Sequence, residues 1–99
     1  MKMHDFENGY DEAIESLKRL NQTADDSIIY VCYVSIYAAS GEFCFTIGQR
    51  TSIVGTNDTC VRVKSYIDDE LKDIEVIDIA SVAAVRYVFV RTKKKLKKG

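Results

Sequence analysis

Cysteine and histidine are the residue types best suited to chemistry, and this sequence of 99 residues has three cysteines, Cys32, Cys44 and Cys60, and one histidine, His4. The cysteines lie 12 and 16 residues apart, which fits neither a zinc site nor a Cys-x-x-Cys redox motif. Each lies in an apolar segment, so we expect buried or half-buried reduced thiols. His4 is close to the start of the chain, so its position gives no support to a Cys–His dyad. We therefore expect no catalytic residues, no metal and no cofactor.

Other catalytic motifs are also missing from the sequence. It contains no GxGxxG, Walker A, GxSxG or HExxH pattern. The acidic cluster of Asp68, Asp69, Glu70 and Asp73 lacks the ligand spacing and the downstream glutamate of a calcium-binding loop. We interpret the cluster as a solvated loop and expect a protein without enzymatic activity.

Positive charge is concentrated at the C-terminal end. The chain has 14 basic and 15 acidic residues, and six of the basic ones are Arg91, Lys93, Lys94, Lys95, Lys97 and Lys98. Residues 1–90 therefore have a net charge of −7. A run of lysines can neutralise phosphates, so we expect residues 92–99 to form a flexible basic tail that binds RNA or DNA. The alternatives are a solubilising tail, a tail folded back on the acidic body, or contact with an anionic membrane surface.

A second basic feature lies in residues 60–66. Strand alternation places Arg62, Lys64 and Tyr66 on one face and Val61 and Val63 on the other. Cations on a strand can follow a nucleic-acid backbone while aromatic rings stack on bases; a solvated strand face is the alternative. Arg50 and Arg86 are further candidates for this face. The predicted nucleic-acid-binding residues are Arg62, Lys64, Arg91, Lys93, Lys94, Lys95, Lys97 and Lys98.

The elements that must position these residues follow from hydrophobic periodicity. Residues 5–22 have the pattern of an amphipathic helix, with Asp5 or Asn8 as its cap. Strands are predicted at 27–38, 42–47, 51–54, 60–66, 74–79 and 82–91, and residues 67–73 are predicted to be a polar loop or a short helical turn. Short connections favour antiparallel pairing. We expect one α+β domain, residues 1–91, with an N-terminal helix followed by a five- or six-stranded antiparallel sheet.

The N-terminal helix, the long first strand and the tight corner in VIDIASVAAVR, residues 76–86, resemble a small Sm-like or SH3-like barrel over residues 8–91. The resemblance implies a closed sheet. The RNA-contacting residues of such barrels cannot be matched to positions in this sequence, so none is assigned. An open antiparallel sheet with the helix on one face is the alternative.

Composition also bears on location and assembly. No run of about 18 apolar residues is present, so no membrane span is predicted. The N-terminal segment lacks the apolar stretch of a signal peptide, and a cytoplasmic location is expected. Because proline is absent, strand edges must be protected by charge, bulges or partner chains, which favours a homo-oligomer.

These patterns predict a small non-catalytic binding protein that engages nucleic acid through its basic tail. One alternative is a protein-interaction module, such as an inhibitor or adaptor of the kind encoded by phages and mobile elements, whose acidic body binds a basic partner. Another is a small-ligand sequestering protein with a tyrosine-lined pocket at a subunit interface.

Overall fold

The computed structural model describes residues 1–48 and 52–93, apart from the side chains of residues 52 and 53. Helix α1 (Met3–Gln22) comes first. Six strands follow: β1 (Ile28–Ala38), β2 (Gly41–Ile47), β3 (Ser52–Thr56), β4 (Cys60–Ile67), β5 (Glu70–Asp78) and β6 (Val82–Lys93). A 3-10 turn, Ile79–Ser81, separates β5 from β6. The predicted α+β class, with one helix followed by antiparallel strands, is confirmed.

The first sheet is built around β1 and has the strand order β2-β1-β6, with both pairs antiparallel. β1 is rich in β-branched and aromatic residues, which favour the extended backbone of a strand. Its alternation places Cys32, Val34 and Ile36 in the core, where each is fully buried. Tyr33 and Tyr37 lie on the opposite face and are exposed.

The second sheet has the order β3-β4-β5 and is also antiparallel. The loop or helical turn predicted for residues 67–73 is wrong, because β5 already begins at Glu70. Asp68 and Asp69 have φ values of 52° and 66°, and they connect the paired residues Ile67 and Glu70. Two consecutive residues with positive φ are the signature of the tight hairpin turn whose twist matches that of the flanking strands.

Helix α1 begins at Met3, two residues before the predicted start. The cap position is therefore occupied by Lys2, which makes no side-chain hydrogen bond there, and not by Asp5 or Asn8 as predicted. The helix buries Phe6, Ala13 and Leu17. Full burial of a side chain such as Phe6 contributes about 1.5–3 kcal/mol.

A single core joins the helix to both sheets. Its buried members are Phe6, Ala13, Leu17, Cys32, Val34, Ile36, Phe45, Ile47, Val61, Val63, Ile77, Ile79 and Val82. Gly48, at φ 101°, follows β2 and lies so close to α1 that a Cβ atom there would be 3.1 Å from Leu17 Cδ2. Within the described residues the six antiparallel strands form two three-stranded sheets that share no strand and do not close, so the architecture is neither the closed barrel that the resemblance implied nor a single open sheet.

Candidate binding face on the second sheet

Three of the residues singled out in the sequence lie together on the outer face of β4. Val61 and Val63 point into the core and are buried, so alternation directs Arg62, Lys64 and Tyr66 to the other side. Arg62 is exposed, whereas Lys64 and Tyr66 are half-buried. The predicted division of this strand into an apolar face and a basic face is confirmed.

Strand β5 adds apolar side chains to the same face. Its register pairs Val76 with Arg62 and Ile74 with Lys64 and then, after an irregularity that leaves Lys72 unpaired, Leu71 with Tyr66. These three aliphatic side chains are 56%, 47% and 50% exposed, respectively. We call the set the basic–apolar face, and its members are Arg62, Lys64, Tyr66, Leu71, Ile74 and Val76. Sequence reasoning missed its aliphatic half. Leu71 is assigned by pattern to a loop or helical turn, and Ile74 and Val76 are assigned to a strand whose register with β4 is not visible in the sequence.

Two carboxylates in the middle of β5 are directed away from this face. Asp73 and Glu75 are paired with Ser65 and Val63, so they lie on the opposite side of the sheet from Arg62 and Lys64. Alternation along the strand therefore separates these two acids from Ile74 and Val76.

The cations of the basic–apolar face have no carboxylate partner within the described part of the chain. The one ion pair among those residues joins Lys18 to Glu15 at 3.6 Å, on the helix. Asp78 is the carboxylate at the end of the face, and its Oδ1 accepts the N–H of Ala80 at 3.1 Å. Arg62 and Lys64 are therefore available to an external anion.

Arg91 and Lys93 lie on the other sheet. They are exposed on β6, where they are paired with Tyr30 and Ile28 of β1. Arg86 is also on β6, opposite Ser35, so it does not join Arg62 as expected. The remaining predicted contacts lie outside the described residues: Arg50, Lys94, Lys95, Lys97 and Lys98. Thr92 and Lys93, assigned by sequence to the tail, are part of β6.

The three cysteines differ in exposure. Cys32 is buried and Cys60 is half-buried, but Cys44 is exposed, so the prediction of a buried or half-buried thiol is wrong there. Cys44 pairs with Ser35 on the face opposite the core, and its Sγ lies 3.6 Å from Ser35 Oγ. Burial raises the pKa of the Cys32 thiol, which disfavours its reactive thiolate form.

No metal centre or dyad emerges from this part of the chain. In residues 1–48 and 52–93, no three His, Cys, Asp or Glu side chains are grouped closely enough to hold a metal ion. The His4 ring nitrogen Nε2 lies 3.2 Å from Asn8 Nδ2 on its own helix.

A buried polar group that the sequence did not reveal lies between α1 and the first sheet. The hydroxyl of Tyr87 on β6 is inaccessible to solvent and has no hydrogen-bond partner among the described residues. Gly9 covers it, since a Cβ atom at Gly9 would be 3.5 Å from Tyr87 Oη. Burial, with smaller contributions from Cys32 and Tyr10, raises the pKa of Tyr87 to about 12.

An open cleft of about 180 Å³ lies where the two sheets meet. Its lining is acidic and aromatic, and consists of Glu42, Phe43, Cys44, Phe45, Val63, Ser65, Asp73 and Glu75. The cleft contains no tyrosine, so it does not match the pocket expected of a ligand-sequestering protein.

No helix in the described ranges has both the length and the apolar character needed to cross a bilayer. Comparisons with protein-family models, with curated proteins and with solved structures found no match to this chain.

Proposed function

We propose that this chain is a small non-catalytic protein that binds single-stranded nucleic acid on its basic–apolar face. The observation that carries the proposal is the pairing of two cations, which have no carboxylate partner in the described residues, with exposed apolar side chains on one sheet surface. Phosphates bind to such cations, and bases pack against such apolar and aromatic surface.

The residues divide into two roles. Arg62 and Lys64 contact the phosphates, and Arg62 can do so with two parallel hydrogen bonds. Tyr66 offers a ring for base stacking, and the aliphatic side chains of β5 extend that surface. Sheet surfaces of this kind bind single strands with little sequence preference, because every base has a face that can stack.

The C-terminal cations add phosphate contacts away from this face. Arg91 and Lys93 are exposed on β6, at the end of the strand that leads into the last residues of the chain. The lysines that follow them in sequence extend the same positive charge: Lys94, Lys95, Lys97 and Lys98.

The proposal is tested by measuring, at several salt concentrations, the affinity for a fluorescent single-stranded oligonucleotide. Each phosphate contact contributes about 0.7 to the slope of log affinity against log salt, so Arg62→Glu/Lys64→Glu is expected to reduce the slope by about 1.4. Truncation after Lys93 is expected to reduce it by about 2.8, since four lysines are removed. The control Lys2→Glu/Lys18→Glu changes net charge equally and is expected to have a much smaller effect. Unchanged affinity and slope in both test variants would end the proposal.

A second candidate is a protein-interaction module that binds a basic partner. The outward face of α1 favours it, because three exposed carboxylates line a shallow depression there: Asp11, Glu12 and Glu15. Asn8 and Arg19 complete the lining of the depression. A purified basic partner that loses binding to Asp11→Lys/Glu12→Lys, but not to Arg62→Glu/Lys64→Glu, would favour this candidate over nucleic-acid binding.

A further inference from the structure

Each sheet has two terminal strands, and among the described residues no strand pairs with the outer edge of β5 or of β6. β5 ends the second sheet and β6 ends the first. The other two terminal strands, β2 and β3, are consecutive in the chain and lie in contact with each other. β5 is nine residues long and β6 is twelve, and the Met1 ammonium group donates to the carbonyl of Val82, the first residue of β6, at 2.9 Å. The rest of each edge is long enough to template a further strand.

The backbone of β5 directs N–H groups to its free side, and one of them is already bonded to a side chain of the same strand. The N–H of Ile74 is donated to the carboxylate of its neighbour Asp73 at 2.8 Å, so it does not point toward β4. N–H groups two residues apart in a strand point the same way. The N–H of Val76 therefore also faces the free edge.

The two free edges have opposite charge. β5 contains four carboxylates and one lysine, for a net charge of −3: Glu70, Lys72, Asp73, Glu75 and Asp78. β6 contains three cations and no acid, for a net charge of +3: Arg86, Arg91 and Lys93. All of these charged residues are exposed.

Both edges also expose apolar side chains. Ile74 and Val76 on β5 are about half exposed, and Val88 and Phe89 on β6 are each 37% exposed. Charge on a strand edge protects it against a like-charged edge but not against an edge of opposite charge, and these aliphatic and aromatic residues add apolar surface to such a contact.

We propose that copies of this chain associate head to tail, with β5 of one copy pairing with β6 of the next. Opposite charges and apolar side chains then meet across the new strand pair. Pairing β5 with β5, or β6 with β6, brings like charges together and is disfavoured. A head-to-tail contact repeats, so the product is a closed ring or a filament and not a two-fold dimer. The inference does not depend on nucleic-acid binding.

The test measures the mass of the full chain in solution by light scattering. At roughly 100 µM the wild-type protein is expected to exceed the mass of one chain, because association follows mass action. Two variants reverse the charge of one edge each: Asp73→Lys/Glu75→Lys on β5 and Arg86→Glu/Arg91→Glu on β6. Each is expected to raise the concentration of half-association by about tenfold or more, since like charges then face each other.

An equimolar mixture of the two variants is expected to recover association, because each reversed edge then meets an edge of opposite charge. The control Asp11→Lys/Glu12→Lys applies the same charge change to the helix and is expected to associate like the wild type. Circular dichroism establishes that each variant is folded. If a reversed variant does not fold, the neutral Asp73→Asn/Glu75→Gln or Arg86→Gln/Arg91→Gln replaces it, with a smaller expected loss.

Two results would overturn the inference. One is a wild-type protein that has the 11.2 kDa mass of a single chain at that concentration. The other is a folded β5 or β6 variant that associates as well as the wild type, because a head-to-tail contact needs both edges.

Discussion

Replacing Tyr87 with phenylalanine is expected to stabilise the protein. The Tyr87 hydroxyl is buried beneath Gly9 and has no hydrogen-bond partner in the described residues. A buried hydroxyl without a partner costs about 1–3 kcal/mol, because its bonds to water in the unfolded chain are not replaced. The ring itself is half-buried, so we take the lower end of that range. Tyr87→Phe should raise the free energy of unfolding by about 1 kcal/mol at neutral pH.

Burial of the Tyr87 hydroxyl also makes the free energy of unfolding depend on pH in the alkaline range. The pKa of Tyr87 is raised from 10.0 to about 12, so above pH 10 the unfolded chain loses this proton first. Unfolding is therefore increasingly favoured as pH rises from 10 to 12. The stability linked to the protonated Tyr87 phenol is fully present only below pH 10. Two pKa units correspond to at most about 2.7 kcal/mol. Solvent screening of the half-buried ring reduces the expected loss to about 1 kcal/mol.

The assay is urea denaturation of the wild type and of Tyr87→Phe at neutral pH and near pH 11. The variant is expected to be more stable at both, with the larger advantage at alkaline pH. Comparing the two proteins at each pH cancels the titration of groups that they share. Tyr37→Phe serves as the control, because Tyr37 is exposed and the change should be within about 0.5 kcal/mol. A variant that is less stable than the wild type at neutral pH would refute the reasoning, since it would mean that the hydroxyl has a favourable partner.

Two further predictions concern the helix end and the cysteines. Asn21 accepts the Tyr30 N–H at 2.8 Å and donates to the Tyr30 carbonyl at 3.1 Å. Asn21→Ala should therefore lower the free energy of unfolding by about 1–3 kcal/mol, and Asn21→Asp, which keeps the acceptor, by less; equal losses in a denaturation experiment would argue against the two-bond account. Alkylation with iodoacetamide, followed by mass spectrometry, should modify the exposed Cys44 first, the half-buried Cys60 more slowly and the buried Cys32 only on unfolding. Labelling of Cys32 as fast as Cys44 would contradict its burial.

Much of the fold could be predicted from local pattern. β1 was recognisable because β-branched and aromatic residues fill residues 27–38, and the structure places it at Ile28–Ala38. The division of β4 into a core face with Val61 and Val63 and an outer face with Arg62 and Lys64 follows from the two-residue period alone. Side-chain alternation is a property of the strand itself, so it needs no knowledge of the neighbours.

Features that lack the usual local signal, or that depend on distant residues, could not be predicted. Asp68 and Asp69 form a tight turn with positive φ, but this pair lacks the glycine that usually marks such turns, and the start of β5 was missed. Cys44 alternates with the buried Phe45 and Ile47 on β2, so its outward direction is visible in the strand, but its exposure depends on what covers that face, which the strand alone does not show. The burial of the Tyr87 hydroxyl likewise depends on where the helix crosses the sheet.

The most direct test of the proposed function is an amide chemical-shift titration of the full, isotope-labelled chain with a single-stranded oligonucleotide. We expect the largest shifts in the paired outer-face segments of β4 and β5, at Arg62, Lys64, Tyr66, Leu71, Ile74 and Val76, and smaller ones at Arg91 and Lys93. Shifts confined to helix α1, or no shifts with the oligonucleotide in excess, would contradict the assignment of this face to nucleic-acid binding.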